Sequence, residues 1–371
     1  MSLAIAAASA AAADVSPYIY KVYEFLPAPG QFDNVYPEYE DGDDEAAIIA
    51  KVEEQLCGDQ KPGLISLGAY GGYVVFGFDH PVVNVAGEYD FKVYGNAFSG
   101  SSEPGIVEVM PDTNGNGLPD DTWYELAGSE YNSSGTVKNY QITYYRPDED
   151  KERDPDPDYA YVNDRTYVLW TTNCEDDPTG YVMRNIYHSQ SYWPQWLADS
   201  TLVFTGTRLA QNYTLNSGIY TLAAYDWGYV DNQPNSSDPG FNIEWAVDST
   251  GASVSLSSID FIKVYTGLNQ YCGWIGETST EVCGGEDLHP EAVDGVTGVT
   301  ADALALTATC RGGSLTVTAP EGCFAGLVYT ASGVLVREVE LTPGVNQIDV
   351  SALSRGVYVL STPVASVKFV R

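Results

Sequence analysis

Ten short segments that alternate apolar and polar residues, each bounded by Gly, Pro, Asn or Asp, confine this chain of 371 residues almost entirely to β-structure. They are GGYVVFGFD (71–79), YDFKVYGN (89–96), GIVEVM (105–110), TWYELAG (122–128), VKNYQITYY (137–145), RTYVLWTT (165–172), STLVFTG (200–206), IYTLAAYD (219–226), FNIEWAV (241–247) and IDFIKVY (259–265). Side chains on a strand point alternately to opposite faces, so each segment offers one apolar face that must be covered. Ten such strands predict an all-β fold, a jelly-roll-like β-sandwich. One stretch breaks the pattern. DDEAAIIAKVEEQLCG places Ile48, Val52 and Leu56 four apart behind an acidic start, with Gly58 as a stop, which predicts a helix.

Composition changes near Gly284, where GGEDLHPEAVDGVTGVTAD carries few large apolar residues and reads as a linker. Short strands resume beyond it (SLTVTA, GLVYTA, VLVREVEL, NQIDVS, GVYVLS, SVKFVR), enough for a second, small Ig-like β-sandwich near the lower size limit for independent folding. The expected division is a leader or signal-peptide remnant over 1–16, a jelly-roll-like domain over 17–290, a linker over 291–299 and an Ig-like domain over 300–371. The leader LAIAAASAAAA (Leu3 to Ala13) has the small-residue pattern of a signal-peptide end but no basic residues before it.

With 51 acidic against 17 basic residues, the formal charge is −34, which disfavours nucleic acid and anionic membrane surfaces as partners. Cations and neutral polymers remain. No apolar run approaches the roughly eighteen residues needed to span a bilayer. The even count of six cysteines suits an oxidising compartment, and no C-x-x-C pair suggests structural zinc. Local disulfides Cys272–Cys283 and Cys310–Cys323 are one reading; free buried thiols are the other.

The stretch PDTNGNGLPDDTWYEL, between two expected strands, has the spacing of a calcium loop. Asp112, Asn114, Asn116 and Asp120 stand at positions one, three, five and nine of D-x-N-x-N-G-x-x-D. Gly117 permits the sharp turn at six, and Leu118 offers its carbonyl at seven. Asp121 adds a further carboxylate. Ca²⁺ takes six to eight oxygens, and alternate residues of such a loop turn theirs inward. Trp123 stands where an EF-hand has its bidentate Glu, and the flanks are strands. The loop more closely resembles the calcium hairpins of integrin-type propeller repeats. The competing reading is an Asn-Gly turn with incidental acids.

Two aromatic stretches are candidates for ligand contact. RNIYHSQSYWPQW (184–196) holds Tyr187, Tyr192, Trp193 and Trp196, and AYDWGYVDNQPN (224–235) holds Trp227 and Tyr229. Exposed rings stack on sugars in β-sandwich binding modules; buried rings simply fill a core, and the abundance of aromatics in cores favours the latter. Catalytic patterns are missing: the three histidines are scattered, and no nucleophile elbow, zincin helix, P-loop or dinucleotide fingerprint occurs. Paired carboxylates of a glycosidase need no motif and stay open.

GGYVVFGFDHPVVNVAGEYDFKVYGNAF, EPGIVEVMPDTNGNGLPDDTWYELAGSEY, SYWPQW, AYDWGYVDN and FNIEWAVDSTGASVSLSSIDFIKVYTGLNQ together resemble a family of uncharacterised cell-surface proteins of Bacteroidetes, over about residues 17–290. The segment LVYTASGVLVREVELTPGVNQIDVSALSRGVYVLSTPVASVKFVR resembles a type IX secretion C-terminal sorting domain, with Gly333, Gly344, Gly356, Tyr358, Val359, Lys368 and Val370 in matching places and a shortened final hairpin. The resemblance implies export to the outer-membrane exterior and partnership with secretion and surface-attachment machinery. The expected function is a calcium-stabilised, non-catalytic surface module for a glycan or other small extracellular ligand. A secreted glycan hydrolase and a structural or adhesive surface protein are the alternatives.

Overall fold

A computed structural model describes residues 15–58, 63–292, 306–311, 314–319, 325–330, 334–354, 357–362 and 366–371. The leader lies outside them, as do Cys323 and most of the linker expected over 291–299. Strands make up 41% of the structure and helical residues 6%, with a single α-helix among the described residues, so the fold is all-β. The chain divides into two compact units, Met1–Asp294 and Gly295–Arg371.

The first unit is built on a six-stranded antiparallel sheet in the order Lys21–Leu26, Tyr73–Gly77, Phe261–Thr266, Gly105–Met110, Tyr124–Leu126 and Ala246–Val247. Both faces of this sheet are covered. On one side Val74, Phe76, Val107, Val109, Ile262 and Val264 join Ile48, Val52 and Leu56 of the helix Glu45–Leu56 in one core. On the other, Ile106 and Tyr265 pack with Tyr140, Ile142, Tyr144, Val168, Leu202 and Phe204 of a second, four-stranded sheet. That sheet runs Thr179–Asn185, Val162–Thr172, Val137–Tyr145, Thr201–Arg208. Burial on both faces is why Gly105–Met110 has only one partly exposed position, Glu108, and reads as a nearly continuous apolar run.

The helix starts where Asp44 caps it, accepting a hydrogen bond from the Ala47 N–H, and its buried residues are the three spaced four apart. Three sequence expectations shift. FNIEWAV is not one strand: Asn242 accepts the Glu244 N–H and turns Ile243–Trp245 into a 3₁₀ segment, leaving only Ala246–Val247 extended. Lys21–Leu26 and Thr179–Asn185 are strands that the alternation did not single out, the second because Gly180 and Arg184 interrupt its apolar pattern. Cys272 and Cys283 are free thiols, so the Cys272–Cys283 disulfide does not form; Cys272 is buried and is pushed up to about 11 by that burial.

In the second unit, Thr307–Arg311, Ser314–Ala319 and Gly344–Asp349 form one antiparallel sheet, and Leu335–Glu340, Ala325–Thr330, Val357–Ser361 and Ser366–Val370 form another. Leu315, Val317, Val328, Ile348, Leu360 and Phe369 make its own core. Among the described residues no helix is long and apolar enough to cross a membrane.

Covering both faces of the central sheet has a direct consequence for neighbouring residues of one strand. Ile106 and Val107 point to opposite faces and are both fully buried. Ile106→Ala and Val107→Ala should each cost about 2–4 kcal/mol in denaturant unfolding; a sheet with one wet face would leave one of the two near neutral.

Candidate metal loop and ligand cleft

The acidic loop joins Gly105–Met110 to its sheet neighbour Tyr124–Leu126, so its two ends are fixed by ladder hydrogen bonds. Gly115 and Gly117 adopt left-handed φ of 71° and 73°, which coils the loop tightly. The Asp112 carboxylate accepts the N–H groups of Gly115 (2.7 Å), Asn116 (3.2 Å) and Gly117 (2.8 Å). Asn114 Oδ1 accepts from Asn116 N–H, and Asn116 Oδ1 from Leu118 N–H. The amide nitrogens of Asn114 and Asn116 donate to Asp120 at 2.9 and 3.0 Å and hold its carboxyl below the usual range. Asp112, Asn114, Asn116 and Asp120 are thus tied into one hydrogen-bonded loop, with the Asn amide nitrogens on Asp120 and the Asp112 and Asn oxygens on backbone N–H groups. Leu118 turns its carbonyl to the Asp120 N–H. Asp121 stands apart: it accepts from the N–H of Thr113 (3.0 Å) and the Thr113 hydroxyl, bracing the loop from outside. Asp112 N–H donates to Asp260 Oδ2 at 2.7 Å, tying the loop to the rim of the central sheet.

The aromatic candidates separate into two groups. Trp193 is 1% exposed and Tyr192 fully buried, both in the core between the sheets; Tyr192 Oη accepts the Asn185 N–H and its ring meets Tyr167 edge-on at 5.2 Å. Trp196 packs on Phe25 and Tyr39. Tyr229 is buried under Gly128 with its hydroxyl on the Glu130 N–H. The rings of Tyr192, Trp193 and Tyr229 therefore cannot stack on a ligand; the space between two β-sheets needs large side chains, and these fill it. Tyr187, 64% exposed, stands alone on its loop. Trp227 is 39% exposed and lies 4.6 Å from Trp245. The structure does not bring these six residues together.

It assembles a different concavity. A cleft of about 390 Å³ opens beside the four-stranded sheet, with Trp170, Tyr181, Arg208, Asp177, Asn269 and Tyr271 on its walls and Glu277 in its floor. Trp170 is cross-strand from Gly180, where any Cβ would collide with the indole, so the ring lies flat over the neighbouring strand. Tyr181 follows at 40% exposure. Asp177 accepts from Tyr140 Oη (3.0 Å) and Asn269 Nδ2 (3.2 Å), and the Asn269 amide also reaches Tyr140 Oη at 2.8 Å, so these polar groups are held in place. Arg208 lies over the Tyr140 ring at 5.1 Å, and the Tyr271 hydroxyl has no protein partner. Sequence reading missed this cleft because it draws on four stretches, 69–70, 170–182, 208–211 and 268–278, that topology alone brings together. The Trp170–Gly180 pair across a hairpin was the one local signal.

Outside the cleft lining stands a group of acids, Asp231 and Glu281 buried and Glu103 half-buried. Carboxylate oxygens of Glu103, Asp231 and Glu281 come within 4.8 Å of one another. Asp231, at a left-handed φ of 55°, accepts the N–H groups of Asn96 (2.8 Å) and Glu281 (3.0 Å); Glu281 accepts from Ser66 Oγ (3.1 Å) and Ser279 Oγ (2.7 Å). Burial pushes Asp231 up to about 7 and Glu281 up to about 8, with Asp231 adding to the rise of Glu281. Burial, then the charges of Glu281 and Asp231, raises Glu103 as well.

Compared with protein-family models and with curated proteins, the chain matches none.

Ca²⁺ at the acidic loop should show locally. In hydrogen exchange, the amides of Gly115, Asn116 and Gly117 should exchange at least tenfold more slowly in millimolar Ca²⁺ than in chelator, and Asp112→Ala with Asp120→Ala should remove the difference. Identical exchange of the native protein in the two conditions would rule the loop out as a calcium site.

Proposed function

We propose that this protein is a calcium-stabilised, non-catalytic binding module of the cell surface, and that the first unit takes a glycan in the cleft walled by Trp170 and Tyr181. The observation that carries the reading is the pairing, in one concavity, of partly exposed ring faces with fixed polar groups, Asp177, Asn269 and Arg208. Sugars present apolar C–H faces and a rim of hydroxyls; rings bind the first and bidentate amide, carboxylate and guanidinium groups the second. The high negative charge favours a neutral or cationic ligand over an anionic one. The second unit, with its own core and two sheets, is read as an Ig-like sorting and attachment module, on its resemblance to type IX sorting domains.

Hydrolysis has one observation in its favour: Asp176, Asp177 and Glu277 all line the cleft. Glu277 is pushed up to about 8 by burial, as a general acid would need. Its oxygens are nevertheless out of reach. Oε1 accepts the Gln31 N–H at 2.5 Å, and Oε2 is sealed from solvent, so neither can meet a glycosidic oxygen in the cleft. Binding without catalysis is the better reading.

On a glycan array, the full chain should retain a discrete set of sugars, and Trp170→Ala with Tyr181→Ala should weaken their binding by about one to two orders of magnitude, at about 0.5–1.5 kcal/mol per stacked ring. Tyr187→Ala and Trp227→Ala should bind as the native protein does. Equal binding by the Trp170/Tyr181 variant would move the ligand elsewhere.

A further inference from the structure

We propose that Asp33 and Glu277 hold a divalent cation, Ca²⁺, under the cleft floor, a site separate from the acidic loop. The inference stands whether or not the cleft takes a glycan.

Asp33 is 2% exposed, and neither of its carboxylate oxygens has a hydrogen-bond partner. Glu277 is 4% exposed, with Oε2 equally unpartnered and Oε1 on the Gln31 N–H. The Glu277 charge acts on Asp33, which is raised well above its ordinary range first by burial and then by that charge, against a smaller pull from the Gly30 backbone. Among the described residues neither has an ion pair. Removing a carboxylate from water with no donor and no counter-charge costs several kcal/mol. Asp33 lacks both, and Glu277 has only the Gln31 N–H on one of its oxygens; one cation shared by the two would supply what is missing.

The backbone around the pair is shaped for close approach. Gly68 has a left-handed φ of 68°, and a Cβ there would strike the Ala28 carbonyl and stand 3.0 Å from Asp33 Oδ1. A Cβ on Gly30 would stand 2.8 Å from Glu277 Oε1 and 2.9 Å from Gly68 Cα. Two glycines thus let the segments bearing Asp33 and Glu277 approach closely, with the Ala28 carbonyl against Gly68. Carboxylate and carbonyl oxygens without nitrogen or sulfur select Ca²⁺ among common divalent ions. The neighbouring Glu103–Asp231–Glu281 group differs: Asp231 and Glu281 already accept backbone and hydroxyl donors, and a shared proton suffices there.

An ion here would clamp three crossing segments. Gly30 N–H donates to the Tyr192 carbonyl (3.0 Å), and the Gln31 side chain bonds Asn185 Nδ2 (2.7 Å), so the strap over 28–34 also fixes the loop over 185–192. Glu277 follows the cleft-lining segment over 268–271. Loss of the ion would release strap and cleft floor together.

The test is calorimetric titration of CaCl₂ into the chelator-treated full chain carrying Asp112→Ala and Asp120→Ala, which removes the loop site. We expect one Ca²⁺ bound per chain. Adding Asp33→Asn, or separately Glu277→Gln, should weaken that binding at least 100-fold, while adding Glu103→Gln should leave it within a fewfold. The two isosteric amides keep side-chain volume, and circular dichroism of each variant verifies that it is folded. Absence of calcium binding in the loop variant would overturn the proposal, leaving Asp33 and Glu277 to share a proton. Binding that survives Asp33→Asn but is lost on Glu103→Gln would overturn it too, placing the ion in the neighbouring trio.

Discussion

The first unit depends on neutralising carboxylates that it takes out of water. Asp33, Asp231, Glu277 and Glu281 are buried, Glu103 is partly so, and none meets a lysine, arginine or histidine among the described residues. A chain with 51 acids and 17 bases has few cations to spare, and those it has lie elsewhere: Lys263 pairs with Glu108, Lys138 with Glu125 and Arg184 with Glu149. Protons or external cations must therefore supply the missing charge. Nearly all of a typical domain's net stability, about 5–15 kcal/mol, is at stake in a handful of such groups.

The strap, the cleft floor and the central sheet meet at this acidic region. Ser66 and Gly68, on the segment that leads into the strand Tyr73–Gly77, contact Glu281 and Asp33 respectively, and Thr266, the last residue of the strand Phe261–Thr266, donates its hydroxyl to the Gly68 carbonyl at 2.9 Å. The rim of the sheet is thus connected to the same residues that set the cleft's depth. Calcium at the acidic loop would act at the opposite end of Gly105–Met110, where Asp260 holds Asp112. Metal at the two proposed sites would be coupled to the sheet at both of its ends.

How much of this was legible in the sequence depends on how local each feature is. The all-β class followed from alternation, and the helix from three residues spaced four apart, because both are properties of a dozen consecutive residues. The acidic loop between two strands was legible as a loop for the same reason, since one nine-residue stretch makes it. The aromatic run over 184–196 left two readings open, with the core favoured, since ring count is the same for a platform and a core; the two covering sheets make Trp193 interior. The cleft and the buried acids were illegible because their members lie far apart in the chain; Asp33 and Glu277 are 244 positions apart, and no period connects them. The alternating T-S-T between Glu277 and Glu281 hinted only at an extended segment.

The dependence on charge neutralisation is tested most directly by unfolding stability against pH in chelator. Asp231, Glu277 and Glu281 have folded-state values of about 7, 8 and 8, above those of an unfolded chain. The folded protein then keeps protons that the unfolded chain releases, so their contribution is complete below about pH 4 and is lost as pH rises towards 8. At about 1.4 kcal/mol per pKa unit the account predicts a fall of several kcal/mol between pH 5 and 8 in denaturant titrations with chelator. Millimolar Ca²⁺ should cancel the share that belongs to Glu277 and leave that of Asp231 and Glu281. A stability that stays level or rises over this range in chelator would contradict the account.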